Sequence, residues 1–141
     1  MIKVMFLCTG NTCRSQMAEG FARELGKGVI KAYSAGLEPG VVHPKAIAVM
    51  KEAGVDISQQ RSKPIDLGIL QNVDVIITLC GHAEESCPLT SAPVQRMHWP
   101  IDDPARAQGT EAEIMNEFRR ARDEIRSKVE QFISEIGKKG K

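Results

Sequence analysis

The 141-residue sequence predicts a three-layer α/β domain, in which helices cover both faces of a four-stranded, mainly parallel β-sheet. Segments of β composition alternate along the chain with segments of helical composition, and this order is typical of right-handed crossovers between parallel strands. Two of the β segments are almost continuously apolar, as strands buried on both faces are. The length fits one hydrophobic core and no linker or repeat divides the chain, so residues 1–141 are predicted to form a single domain.

Four segments are predicted to be strands. Residues 2–7 and 73–79 are the nearly unbroken apolar runs, whereas residues 29–34 and 94–99 are weaker candidates. Ligands of parallel sheets bind beyond the carboxyl ends of the strands. We therefore expect a functional site where the segments after the first, third and fourth strands meet.

Helices are predicted over about residues 15–25, 44–53 and 65–70, and a longer one ends the domain. The last helix is the clearest, because apolar residues recur every three or four positions on a charged segment. Thr110 and Glu113 have the spacing of a capping box at its start. Its apolar stripe comprises Ile114, Phe118, Ala121, Ile125, Val129, Phe132 and Ile136.

The composition argues against several classes of partner. A formal net charge of +1 does not indicate binding to nucleic acid or to a membrane surface. No apolar run reaches the roughly 18 residues of a membrane span, and the N-terminus lacks the features of a secretory signal, so we expect a cytoplasmic protein. We also expect it to be a monomer. In that compartment the four cysteines point to catalysis, redox chemistry or metal binding more than to permanent disulfides.

The segment CTGNTCRS, residues 8–15, joins the first predicted strand to the first predicted helix. Backbone amides without partners and the positive end of the helix dipole favour an anion there. Arg14 adds a permanent charge with two parallel donors suited to a tetrahedral oxyanion. Such surroundings favour the thiolate of Cys8. We therefore predict a loop that holds an oxyanion beside a cysteine nucleophile.

The other residues of this loop fit the same chemistry. Gly10 lets the backbone approach the anion, Asn11 tolerates left-handed torsions, and Ser15 can donate its hydroxyl to the thiolate. No nucleotide-binding GxxxxGK[ST] or GxGxxG pattern occurs, so the oxyanion is predicted to be a reactant. The plainer alternative is a buried strand-end cysteine followed by a surface arginine. The predicted oxyanion-binding residues are Thr9, Gly10, Asn11, Thr12, Cys13, Arg14 and Ser15.

Several motifs together resemble the thioredoxin-coupled arsenate reductases built on the low-molecular-weight protein tyrosine phosphatase fold. They are CTGNTCRSQMAEGFAR at residues 8–23, YSAG at 33–36, TLCG at 78–81 and HWPIDDPARAQGT at 98–110, so the resemblance covers essentially the whole chain. It implies that fold, arsenate as the substrate, thioredoxin as the reductant, no tightly bound cofactor, and a role in arsenic detoxification. The loop itself is common to the reductases and the phosphatases.

Two further cysteines, Cys80 and Cys87, separate reductase from phosphatase chemistry. Reduction of arsenate takes two electrons, which a second thiolate can supply by attacking the sulfur of a cysteine–arsenic(V) adduct. That step releases arsenite and leaves a disulfide, which a third thiol can carry toward the surface. By position and by resemblance, Cys80 attacks Cys8 and Cys87 resolves the bond. The alternative is that Cys80 merely continues a buried strand and that Cys87 has no such role.

The residues between Cys80 and Cys87, GHAEES, have helical composition. Seven residues of α-helix rise about 10 Å, whereas a disulfide joins Cα atoms about 4.4 to 6.8 Å apart. We therefore predict that this segment unwinds when the two cysteines join.

Asp103 and Cys13 complete the predicted site. By resemblance Asp103 is the general acid, and the proline that follows it fixes the turn that aims it. The neighbouring Asp102 is the rival carboxylate, interpreted as structural or solvent-facing, and Trp99 is expected to anchor this loop from beneath. Cys13 resembles a second loop cysteine that takes no part in the thiol relay.

Some reductases of this kind bind a potassium ion through residues that correspond to Asn11, Glu19 and Ser34. In this chain Arg61 and Lys63 stand where a threonine and an aspartate would be expected, so two cations replace oxygen ligands. We therefore predict no resident metal ion, and our hypothesis is that the Lys63 ammonium substitutes for potassium.

Two other function classes stay open. A low-molecular-weight tyrosine phosphatase would use only Cys8, Arg14 and Asp103; against this, Ala105 follows the Asp-Pro pair where these phosphatases usually carry a tyrosine. A non-catalytic module that senses oxidants or binds a metal through its cysteines would release no arsenite.

Overall fold

The computed structural model describes residues 1–38, 40–81 and 94–139, and in them four strands form one parallel sheet. The strands, in the spatial order β2-β1-β3-β4, are β1 (Ile2–Cys8), β2 (Ile30–Gly36), β3 (Val75–Thr78) and β4 (Gln95–His98). This confirms the predicted sheet. The third strand is shorter than predicted, because burial of the apolar run at Val73 and Leu79 continues past the paired residues.

Helices cover both faces of the sheet, which confirms the three-layer α/β class. On one face lie α1 (Arg14–Leu25), α2 (Pro44–Glu52) and α4 (Glu111–Lys139), and on the other lies α3 (Leu67–Leu70). The short α3 begins where the Asp66 carboxylate accepts a hydrogen bond from the backbone N–H of Ile69, at 3.1 Å.

The long helix α4 has the amphipathic pattern that the sequence predicts. Phe118, Ala121, Ile125, Val129 and Phe132 are buried, and the two ends of the stripe are partly buried. The capping box forms as well: the Glu113 N–H donates to the Thr110 hydroxyl at 3.1 Å, and the Thr110 N–H donates to the Glu113 carboxylate at 3.3 Å. No helix in the described part of the chain is long and apolar enough to span a membrane.

Alternate residues of β1 face the two layers. Val4, Phe6 and Cys8 point into the larger core beneath α1 and α4, while Met5 and Leu7 point into the smaller core beside α3. The Cys8 side chain therefore lies on the face of the sheet where α1 begins.

The connections of the sheet place the site. From β1 the chain crosses to β2 at one edge, and from β3 it continues to β4 at the other. The segments that follow β1 and β3 therefore leave these neighbouring strands in opposite directions, and a crevice opens between their carboxyl ends. Cys8 and the residues after Thr78 meet at this crevice.

Candidate active site

The loop after β1 leads directly into an α1 N-terminus that no side chain caps. Cys8 is the last residue of β1 and is 2% exposed, and Cys13 occupies the N-cap position without accepting a hydrogen bond at its side chain. The first turn of α1 also contains no acidic residue. Because no side chain of the first turn of α1 neutralises the positive end of the helix, the loop is suited to bind an anion beside the Cys8 thiol.

A cavity of about 740 Å³ opens over this loop. It is lined by the loop itself, by the segment Leu79–Gly81 after β3 and by residues 100–103 with Arg106. The structure thus brings together Cys8, Cys80, Arg14 and Asp103, four of the five predicted catalytic residues. The fifth, Cys87, and the predicted helix between Cys80 and Cys87 lie outside the described residues.

Arg14 is 8% exposed, and the nitrogen atoms of its guanidinium group have different partners. Nη1 donates to the backbone carbonyls of Ile101 at 2.9 Å and Leu79 at 3.4 Å, which ties together the segments after β3 and β4. Nε is buried and has no hydrogen-bond partner among the described residues. Since Nε and Nη2 form the edge that binds a planar or tetrahedral oxyanion with two parallel bonds, the free donor indicates where such an anion sits.

A buried chain of hydrogen bonds holds the nucleophile. Asn11 has φ of 51°, the left-handed conformation that the sequence predicts it to tolerate. Its Nδ2 donates to Ser15 Oγ at 2.7 Å, and Ser15 Oγ lies 3.0 Å from Cys8 Sγ. Ser15 Oγ thus accepts from Asn11 and lies close enough to Cys8 Sγ to donate its own hydrogen to the sulfur.

Two glycines shape the loop, and only one was predicted. A Cβ added to Gly10 would lie 3.3 Å from the Thr12 side chain, a tight but adjustable contact. A Cβ added to Gly36 would lie 2.7 Å from the Asn11 backbone nitrogen and 2.8 Å from the Gly10 carbonyl carbon. Gly36 pairs with Cys8 across β1 and β2, so the loop can pass over β2 only where the side chain is missing. The sequence signal for Gly36 was its place at the end of the YSAG motif.

Cys80 lies at the opposite wall of the cavity, two residues beyond β3. It is partly exposed, and its sulfur lies 3.2 Å from the Thr9 hydroxyl. A residue of the oxyanion loop therefore contacts the second thiol directly.

The Asp103 carboxylate contacts residues of the loop, whereas the Asp102 side chain is exposed. One oxygen of the Asp103 carboxylate lies 3.6 Å from Arg14 Nη2, and the other accepts from the backbone N–H of Ala105 at 3.0 Å. Asp102 is exposed at the cavity rim, where its backbone carbonyl accepts from Arg120. The predicted anchor Trp99 is buried, with ring centroids 5.9 Å from Phe6 and 6.0 Å from Phe132.

Cys13 sits between the nucleophile and the carboxylate but remains a neutral thiol. Its sulfur donates to the Asp103 carboxylate over 3.7 Å. Burial raises the pKa of Cys13 to about 12, and the charges of Asp103 and Cys8 act in the same direction. A thiol that stays protonated is a poor nucleophile, which agrees with the expectation that Cys13 takes no part in thiol exchange.

His43 is a residue that the sequence reasoning missed. Its backbone N–H donates to the Thr12 carbonyl at 2.7 Å, and its Nδ1 accepts from the Lys45 N–H at 3.1 Å, which caps α2. Burial lowers the pKa of His43, and the nearby Lys45 adds to this, so the ring stays a neutral acceptor near pH 7. The sequence signal for this role was the position of His43 directly before Pro44, because proline is common at the first position of a helix and a polar residue commonly caps it.

The residues that correspond to a potassium site surround an ammonium group instead. Lys63 Nζ lies 2.7 Å from the Arg61 carbonyl, 3.4 Å from Ser34 Oγ and 3.6 Å from Glu19 Oε1. Asn11 Oδ1 already accepts two N–H groups, from Gln16 Nε2 and from the Lys63 backbone, both at 2.9 Å. These oxygens do not fit a metal ion, because their acceptor capacity is used by nitrogen donors.

Comparison with known proteins places the chain in a family. The model of the low molecular weight phosphotyrosine protein phosphatase family matches residues 3–141. An arsenate reductase of Bacillus subtilis (strain 168) is 53% identical over 135 residues, which is 96% of each chain.

Solved structures give the same result. An arsenate reductase in its oxidized state superposes with a TM-score of 0.80 at 40% identity, covering 96% of this chain and 99% of that one. A thioredoxin-dependent arsenate reductase of Corynebacterium glutamicum has a TM-score of 0.67 at 25% identity, over 93% of this chain and 63% of that one. The chain therefore belongs to the low molecular weight phosphotyrosine protein phosphatase family, and groups there with the proteins named arsenate reductase.

Proposed function

We propose that the protein reduces arsenate to arsenite through a thiol–disulfide cascade of Cys8, Cys80 and Cys87 that thioredoxin regenerates. The observation that carries the proposal is the second thiol: Cys80 lines the same cavity as Cys8 and Arg14, whose buried Nε has no partner among the described residues. A phosphatase needs no second thiol at its oxyanion site. Reduction of a bound arsenic(V) does, because two electrons must come from two sulfurs.

The first step is attack on arsenate. The loop amides and the Nε edge of Arg14 hold the oxyanion, and the Cys8 thiolate forms a bond to arsenic. Asp103 gives a proton to the oxygen that leaves as water. The Asp103 carboxyl group, in its protonated form, is placed for this role, since it lines the cavity and is oriented by the Ala105 N–H.

The second step makes arsenite. The Cys80 thiolate attacks Cys8 Sγ, the electron pair of the sulfur–arsenic bond stays on arsenic, and arsenite leaves as the disulfide forms. The Thr9 hydroxyl, 3.2 Å from Cys80 Sγ, can donate to this thiolate and hold it in the cavity.

The third step frees Cys8. In it, Cys87 attacks Cys80 and becomes part of a new disulfide, which the dithiol of thioredoxin reduces. Support for thioredoxin comes from the motif resemblance and from the thioredoxin-dependent relative described above. A reduced thioredoxin pool is a property of the cytoplasm, where we place the reaction.

A phosphatase would use the same Cys8, Arg14 and Asp103, but the residues that line the cavity favour it less. Among the described residues that line the cavity there is no aromatic side chain to stack on a phosphotyrosine ring. Ala105, next to the cavity, is exposed and small.

Replacement of the second thiol tests the proposal. Cys80→Ser should abolish thioredoxin-coupled arsenite formation, because the adduct on Cys8 then has no internal attacking thiolate. Cys13→Ser is the matched control and should retain most of the activity. Undiminished arsenite formation by Cys80→Ser, measured with thioredoxin and its reductase, would rule the cascade out.

We further propose that Lys63 fulfils the role of a potassium ion. The ammonium of Lys63 neutralises Glu19 and braces Ser34, and its backbone N–H fixes the amide of Asn11. The loop geometry then depends on a tethered charge and not on a dissolved cation.

A further inference from the structure

A continuous line of side chains runs from the protein surface to the nucleophile. It starts at Arg23, in the last turn of α1, and reaches the loop through Gln60 and Gln16. The links, in order, are Arg23 Nη1 to Gln60 Oε1 at 2.5 Å, Gln60 Nε2 to Gln16 Oε1 at 2.7 Å, Gln16 Nε2 to Asn11 Oδ1 at 2.9 Å, Asn11 Nδ2 to Ser15 Oγ at 2.7 Å, and Ser15 Oγ to Cys8 Sγ at 3.0 Å.

The direction of the outer links is fixed by groups that can only donate or only accept. The Arg23 guanidinium has donors alone, so it meets the Gln60 oxygen and turns the Gln60 NH₂ inward. That NH₂ also meets the Gln16 backbone carbonyl, at 3.0 Å. The Gln16 NH₂ in turn faces the backbone carbonyls of Asn11 at 3.0 Å and Arg61 at 2.8 Å, which accept only.

The direction of the inner links is fixed in the same way. The backbone N–H of Lys63 donates to Asn11 Oδ1, which leaves the Asn11 NH₂ to face Ser15. Ser15 Oγ lies 3.0 Å from Cys8 Sγ, and its hydroxyl is the donor of this link when Cys8 is a thiolate, which has no hydrogen to give. When Cys8 is a thiolate, every donor in the line therefore points toward Cys8.

A line of donors with one direction favours an anion at its end. Asn11, Ser15 and Gln16 are each 0% exposed, so the links next to Cys8 act in a medium of low dielectric. Each hydrogen bond polarises the next in the same sense, and the line begins at a permanent cation. Arg23 is half-exposed and its Nε lies 3.5 Å from Glu24, so the Arg23 charge is partly screened and the amide links contribute more.

We propose that Arg23, Gln60 and Gln16 are positioning residues that stabilise the Cys8 thiolate through this hydrogen-bond chain. The hydrogen-bond chain acts in addition to the ionisable groups that share the cavity with Cys8, which are Arg14, Cys13, Cys80, Asp102, Asp103 and Arg106. The proposal rests on the proposed function only in taking Cys8 as the nucleophile.

The test compares the pH dependence of Cys8 reactivity in variants that lack one of the outer hydrogen bonds of the line. These substitutions lie outside the fully buried residues next to Cys8. Gln60→Leu removes the central link, Arg23→Met removes the cation, and Gln59→Leu changes the exposed neighbouring glutamine as a matched control. Reduced proteins are treated with iodoacetamide, and alkylation of the Cys8 peptide is followed by mass spectrometry across pH.

We expect Gln60→Leu to slow Cys8 alkylation at pH 6 by about fivefold and to move the midpoint of the pH profile upward. Arg23→Met should give a smaller shift in the same direction, and Arg23→Lys should restore most of it. In the double variant, loss of Arg23 should add nothing to the shift of Gln60→Leu, because the chain is already cut.

A purely structural role would lower the unfolding temperature and leave the midpoint where it is. Midpoints equal to that of the unaltered protein in both variants, or an equal shift in Gln59→Leu, would overturn the proposal. Since alkylation requires no arsenate, this result is independent of whether the protein releases arsenite, which reports on the proposed function.

Discussion

Arg14 shows how one side chain combines a structural and a functional task. Its Nη1 joins the segments after β3 and β4 through two backbone carbonyls, and its Nε stays buried without a partner. An unpaired buried donor costs about 1–3 kcal/mol, which a bound oxyanion would recover. The sequence could predict that Arg14 binds an anion, but not that it also holds Leu79 and Ile101.

Cys13 gives a prediction about stability at high pH. Its pKa rises from 9.0 to about 12 on folding, chiefly through burial. Below pH 9 the thiol is protonated in both the folded and the unfolded state, and its contribution to stability is fully present. Above pH 9 the unfolded state loses the proton first, so the free energy of unfolding falls until about pH 12.

The measurement is urea unfolding of the unaltered protein and of Cys13→Ala on both sides of pH 9. The unaltered protein should lose more stability than Cys13→Ala as the pH rises. Equal losses of stability in the two proteins would show that the Cys13 thiol has the same pKa in the folded and unfolded states.

Lys63 gives a prediction about dependence on cations. Arsenate turnover of the unaltered protein should be the same in potassium chloride and sodium chloride at equal ionic strength, because the ammonium already occupies the oxygen cluster at Glu19 and Ser34. Lys63→Met should lower turnover several-fold, whereas the exposed Lys51→Met should not. A strong and specific rise in the rate of the unaltered protein with potassium would contradict the substitution.

Some residue roles could be read from the sequence and others could not. Cys8, Arg14 and Ser15 lie within one short motif, so their proximity follows from the loop itself. Gln16 and Gln60 lie 44 positions apart, and nothing in either local pattern indicates that they meet.

At the scale of elements, the pairing of β1 with β2 controls the shape of the loop. Cys8 lies opposite Gly36, and the backbone of the loop occupies the space that a Cβ atom on residue 36 would need. Gly36→Ala would place a methyl group 2.7 Å from the Asn11 nitrogen and must displace the loop.

Gly36→Ala should therefore reduce arsenite formation by roughly ten- to a hundredfold and lower stability by about 1–3 kcal/mol. Gly40→Ala is the control, since among the described residues its added Cβ meets the Thr12 methyl group alone, at an ordinary contact distance of 3.4 Å. Steady-state turnover and thermal unfolding of both variants give the answer. Equal activity of the two would mean that the close approach at Gly36 has no bearing on catalysis.

The elements themselves follow well from local patterns. Helix α4 was predictable because its apolar stripe is long and its capping box is explicit. The extents of β3 and α3 were less so, because apolar burial does not mark where strand pairing stops and because the Asp66 cap of α3 is a single side-chain contact. The constraint at Gly36 depends on strand register, which only the folded sheet defines.

At the scale of the whole molecule, the strand order brings two cysteines from distant parts of the sequence to one crevice. Cys8 ends β1 and Cys80 follows β3, and these strands are neighbours at the centre of the sheet. Their meeting at one edge was predictable from the α/β class, since carboxyl ends of parallel strands share an edge. The contact of Cys80 with Thr9 was not, because it depends on the path of the loop.

In the proposed cascade, electrons flow from the protein's own thiols to arsenate. A single turnover tests it most directly: fully reduced protein is mixed with arsenate without any external reductant, and free thiols and released arsenite are counted per chain. We expect a loss of about two thiols with release of about one arsenite. Unchanged thiols without arsenite would contradict it and would favour the phosphatase chemistry of Cys8, Arg14 and Asp103.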